Sequence, residues 1–132
     1  VEEQAMDQKK EVRIFHSIVV FGMRLLDRYL KEKVKEFKTM VENPEEVFTI
    51  LRKENLALLE RESYHIHQTL EQIEKIDISK FNTPEEYREF LKKQIKDFYK
   101  SQGTPPACIY IFEEKINACW EFFENFHEIM RL

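Results

Sequence analysis

Thr104-Pro105-Pro106 opens the stretch ACIYIFEEKINACWEFFENFHEIMRL, in which Ile109, Phe112, Ile116, Cys119, Phe123, Phe126 and Met130 recur at spacings of three and four. Such a stripe is apolar along one side of an α-helix and polar on the other, so it must be packed against further helices. The rest of the chain has to supply those surfaces. It has the composition to do so: 132 residues with 42% hydrophobic and 35% charged side chains, but only 2 Gly and 4 Pro. Chains rich in Glu, Lys, Leu and Phe and poor in breakers favour helix over sheet.

The breakers that exist mark the boundaries. Asn43-Pro44-Glu45-Glu46, Thr83-Pro84-Glu85-Glu86 and Thr104-Pro105-Pro106 each place a capping residue before a proline that suits the first helical position. In the first two, a glutamate three residues after the cap completes a capping box. Gly103 suits a helix C-terminus. The expectation is an all-α, antiparallel up-down four-helix bundle, a single domain over 1–132 with helices at about 3–41, 44–76, 84–102 and 105–131. Because the sequence begins at Val1, it is compatible with a piece cut from something longer.

The first helix carries two stripes. Val12, Phe15, Val19, Met23, Leu26, Leu30, Val34, Phe37 and Val41 form one, and Ile14, Ile18, Phe21, Leu25 and Tyr29 the other. A four-helix monomer needs one apolar face per helix, so the second stripe is expected to be an interface, most simply with a second copy of the chain. In the second helix, Val47, Ile50, Leu51, Leu58, Leu59, Ile66, Leu70 and Ile73 are expected inward, with a polar interruption at Glu60-Arg61-Glu62-Ser63-Tyr64-His65. In the third, Tyr87, Phe90, Leu91, Ile95, Phe98 and Tyr99 are expected inward.

Several function classes lose support at this level. Net charge is -4 with both signs interspersed, so no basic footprint for DNA or RNA is present. The longest uncharged apolar run, 14–23, is too short to span a bilayer. Cys108 and Cys119 lie on one helix about 16 Å apart along its axis, so they cannot pair with each other there. They read as small core residues in a reducing, cytoplasmic setting.

Two Glu-x-x-His pairs occur, Glu62/His65 and Glu124/His127. Residues three apart share a helix face, the spacing used by ferritin-like di-iron bundles, so these four are the candidate metal ligands. Against them, the two motifs differ in height by roughly 15–20 Å in an up-down bundle. Glu124 also turns away from its stripe, and Asp27, near the height of His65, is expected on the polar side of helix 1. Solvated or half-buried histidines are therefore the expectation. His65 and His67 are two apart and point to different sides, so they do not chelate one ion. His16 and His127, beside apolar faces, are the candidates for holding a haem. No cofactor is expected.

Arg61 and His67, with five residues between them, are similar to the loose Arg-x(4–6)-His pattern of HEPN ribonucleases. The likeness covers those two residues, with Glu62 as the polar residue after the arginine. It implies Arg61 and His67 acting together on an RNA phosphodiester across a dimer. The aromatics Trp120, Phe122, Phe123 and Phe126 are expected in the core. The leading functional expectation is a non-enzymatic interaction or regulatory module that forms a homodimer and binds a protein partner or acts as a sensory segment. A metal- or haem-binding sensor and an RNA-cleaving enzyme are the alternatives.

Overall fold

The structure, a computed structural model, describes residues 2–42, 49–104 and 106–131, with side chains described at 7–42, 53–104, 109–126 and 128. It is all-α: α1 spans Glu2–Val41, α2 Thr49–Glu74, α3 Pro84–Ser101 and α4 Pro106–Arg131, with a short 3-10 turn at Ile78–Lys80. No strand occurs among the described residues. Among them, too, no helix is long and apolar enough to cross a membrane. The expected cap at Asn43-Pro44-Glu46 and the inward positions Val47, Ile50 and Leu51 lie outside the residues or side chains described. So do the side chains of Cys108, His127 and Met130.

The chain divides into two compact units, Val1–Gly22 with Lys75–Leu132, and Met23–Glu74. Helix α1 is continuous through 40 residues and contributes to both.

The first unit is built on Phe15, which is fully buried. Its ring meets Tyr87 of α3 at 5.7 Å, and Trp120 and Phe123 of α4 at 5.1 and 5.6 Å between centroids. The first two contacts are edge-to-face, which sets a ring's positive edge against its neighbour's negative face. Val12, Val19, Val20, Phe81, Leu91, Ile95, Tyr99, Phe112 and Ile116 are buried in the same unit. Helices α1 and α4 run antiparallel here: Phe15 packs on Phe123, whereas Gly22 lies toward Cys119. A methyl group at Gly22 would stand 3.4 Å from the Cys119 sulfur, an ordinary van der Waals contact.

The boundaries of α3 follow the expected chemistry. Thr83 Oγ1 accepts the Glu86 amide at 3.1 Å. The Glu86 carboxylate reaches back to the amide of Asn82 at 3.3 Å, one residue earlier than a standard box. At the other end Gly103 adopts φ 68, a left-handed conformation that costs glycine little. The Thr104 amide then donates to the Tyr99 carbonyl at 3.0 Å and the Gly103 amide to that of Lys100 at 3.1 Å. This Schellman arrangement satisfies carbonyls left over at the helix end.

The second unit is a helical hairpin of the C-terminal half of α1 and α2. Its cross-helix pairs descend along α2 as they ascend along α1: Arg24–Glu74 at 3.2 Å, Asp27–His67 at 3.2 Å and Lys38–Glu60 at 3.8 Å. Met23, Leu30, Ile66, Leu70 and Ile73 are buried in it.

Three expected core positions are corrected. Leu58 is 64% exposed, at a level where the Lys38–Glu60 pair sets α2 against the last turns of α1. Phe126 is 41% exposed. It lies near the C-terminal end of α4, past Phe123, the last buried residue of its stripe among those described. Phe122, another expected core aromatic, is also exposed.

Phe15→Ala is expected to destabilise the protein by about 3–5 kcal/mol, the range for removing a buried aromatic ring. Thr83→Ala is expected to cost about 1 kcal/mol through loss of the cap. Urea denaturation followed by circular dichroism measures both, and equal losses at the two positions would contradict this ranking.

Candidate functional site

The outward face of α1 comes first. Stepping about 100° per residue from Val12, the buried Phe15, Val19, Met23 and Leu30 stay within about 60° of it. Ile14, Ile18, Phe21 and Leu25 fall at about 180–240°, with Tyr29 at about 260°. The second stripe is thus nearly opposite the core. Phe21 is 64% exposed, Tyr29 55%, Leu25 50% and Ile14 38%, while Ile18 is half-buried. The five expected interface residues share one helix face, and the Lys33 ammonium sits over the Tyr29 ring at 5.6 Å.

The second feature is a polar cluster in the hairpin unit. Asp27 is buried, which corrects its expected place on the polar side of α1. The helical wheel already held the signal: Asp27 falls about 60° from Val12, within the inward arc. Asp27 Oδ2 accepts from Lys31 Nζ at 3.1 Å, one turn along, and lies 3.2 Å from His67 Nδ1. Across the ring, His67 Nε2 lies 3.1 Å from Glu71 Oε1. Both imidazole contacts are hydrogen bonds when each ring nitrogen donates, as in the imidazolium. Lys31 Nζ, 3.3 Å from Nδ1, is then a neighbour rather than a partner. Asp27 Oδ1 is buried without a hydrogen-bond partner.

This cluster does not resemble a metal centre. The carboxylates approach opposite edges of one ring, so no single ion touches all three groups. No set of three converging His, Cys, Asp or Glu side chains occurs among the described residues. Glu62 and His65 belong to the hairpin unit and Glu124 and His127 to the other. Glu124 Oε1 accepts the Trp120 indole N–H at 2.6 Å. His16 Nδ1 is 2.6 Å from the Tyr87 hydroxyl, a contact within the core, and burial pushes the Tyr87 phenol well above its ordinary range.

Nor does the cluster assemble the pair implied by the ribonuclease pattern. Arg61 is exposed and acts electrostatically on His65, one turn away, and makes no contact with His67. His67 is flanked by two carboxylates, which would repel a phosphodiester.

His65 itself is buried, which corrects the expectation of a solvated or half-buried ring. Burial, and secondarily the Arg61 cation, lower its pKa below the ordinary 6.5. The Thr69 hydroxyl donates to the His65 carbonyl at 2.7 Å, satisfying that hydroxyl within its own helix. In α4, burial raises the Cys119 thiol pKa, which disfavours the reactive thiolate. An open depression in the first unit is lined by Glu11, Glu85, Trp120, Phe123, Glu124 and Glu128, with the Arg88 guanidinium 4.2 Å from the centre of the Trp120 ring.

Comparison with protein-family models, curated proteins and solved structures finds no match to the chain.

The sign of the His65 shift fixes a pH dependence. The unfolded chain binds the proton more readily than the folded one, so the histidine's contribution is fully present above pH 6.5 and is eroded as pH falls below it. Denaturation midpoints at pH 7.5 and 5.0 are expected to differ less in His65→Gln than in the native sequence. An identical pH response in the two proteins would remove His65 as the cause.

Proposed function

We propose that this chain is a non-enzymatic helical interaction module that forms a homodimer through the outward face of α1. The reading rests on the exposure of Phe21, Leu25 and Tyr29 on the side of α1 opposite its core. A large apolar residue exposed singly is ordinary, whereas a row of them along one helix face marks a contact surface. Phe21 and Tyr29 are its aromatic anchors, the residue types that dominate interface energetics. In this proposal the four helices form an antiparallel up-down bundle, and the dimer is the platform on which a protein partner or a sensory input acts. Two cysteines placed to avoid pairing with each other fit a reducing, cytoplasmic setting.

Sedimentation equilibrium over micromolar concentrations tests this. The native sequence is expected as a dimer, and Phe21→Glu as a monomer with an unchanged helical circular-dichroism spectrum. Burying one such side chain contributes about 1.5–3 kcal/mol, and two-fold symmetry removes it twice. A native chain that stays monomeric at every concentration would overturn the proposal.

A further inference from the structure

The outward face of α1 carries a heptad of its own. Ile14, Ile18, Phe21 and Leu25 are spaced four, three and four residues apart, the alternation of a coiled-coil seam. Continuing that alternation reaches Glu11 toward the N-terminus and Arg28 toward the C-terminus, so the apolar seam is bracketed by opposite charges. Arg28 is exposed. Glu11 is half-buried and already interacts within its own chain, and a carboxylate has several acceptor sites.

We propose that the occupant of this face is the same helix of a second copy, running antiparallel. The register sets Ile18 against the partner's Phe21 and Ile14 against the partner's Leu25. Each seam position then adds to its opposite in a constant sum, and the same rule brings Glu11 to the partner's Arg28. Two-fold symmetry repeats every pair, so an apolar centre is closed at both ends by opposite charges.

The alternatives are disfavoured by the same residues. A parallel pair stacks Glu11 on Glu11 and Arg28 on Arg28, which is repulsive at both ends. Sliding the antiparallel pair by one heptad in one direction drives Arg28 onto Ile18, and in the other drives Glu11 onto Phe21. Either burial of a charge against an apolar side chain is costly. The next layer outward in the proposed register, Asp7 with the partner's Glu32, is like-charged and ends the seam. A face whose charges complement their own two-fold image points to a second copy rather than an unrelated helix.

This arrangement rests on the homodimer reading above, and the tests separate the two. Dissociation constants are measured by sedimentation equilibrium for the native chain, Glu11→Arg, Arg28→Glu and the double variant. Each single swap turns two attractive pairs repulsive and is expected to weaken the dimer about tenfold. The double variant restores both pairs and is expected to return close to the native value. Because Glu11→Arg also disturbs a contact within the chain, a second measurement stands beside it. Under mild oxidation, an equimolar mixture of Ile14→Cys and Leu25→Cys chains is expected to form a mixed disulfide. Ile14→Cys alone is expected to stay at the baseline set by Cys108 and Cys119 in the native chain. A dimer in which Ile14→Cys links to itself and the double swap rescues nothing overturns the antiparallel register and leaves the homodimer standing. A dimer indifferent to Phe21→Glu and to all the charge swaps overturns the α1 interface as a whole. A monomer overturns both.

Discussion

The first unit depends on Phe15 being held on three sides at once. Among the described residues, its ring is in aromatic contact with both α3 and α4 from α1. Such contacts specify angle as well as burial, since edge-to-face geometry is lost if one helix rotates by a fraction of a turn. The His16–Tyr87 hydrogen bond falls at the same level, with the Tyr87 ring standing against Phe15. Fixing Phe15 inward fixes the rotation of α1, and with it which residues of that helix face away.

That rotation accounts for the two faces of α1. The inward stripe serves the first unit through Val12, Phe15 and Val19, and the hairpin unit through Met23 and Leu30, all on one side of an unbroken helix. With the core supplied from one side, the second stripe has no internal duty. Ile14, Phe21, Leu25 and Tyr29 are left exposed although a polar residue at each would suit an isolated helix better. Local propensity does not account for them either, since Ile, Phe and Tyr are no better helix formers than Lys, Glu or Gln.

Helix content and the boundaries of α3 were legible in the sequence because each rests on short-range chemistry. Thr83, Pro84 and Glu86 act within one turn, and Gly103 supplies a conformation other residues resist. The burial pattern was legible where stripes are unbroken, as at Phe112, Ile116 and Phe123. It failed at Leu58 and Phe126, which keep the phase of their stripes and are exposed all the same. Phase is a property of one helix, whereas burial at a given level needs a second helix to be present there. The polar cluster failed for a different reason. Asp27 was assigned outward although its angle on α1 faces inward, and His65, expected solvated or half-buried, is buried. Only the opposing His67 shows how Asp27 is accommodated.

The cluster and the outward face of α1 answer different physical questions. Asp27 inside the hairpin is a buried charge offset by Lys31 and His67, and such groups fix register more readily than they add stability. Its position suits that role: Asp27 and His67 sit between the Arg24–Glu74 and Lys38–Glu60 pairs, so a slip of α2 by one turn would strand the carboxylate. The Asp27–His67 contact ties α2 to α1, whereas Lys31–Asp27 and His67–Glu71 each lie within one helix. The apolar row on the far side has no such internal tie. It is the part of α1 to which the proposed dimer assigns a role, and its flanking charges of opposite sign are what that proposal pairs with a second α1.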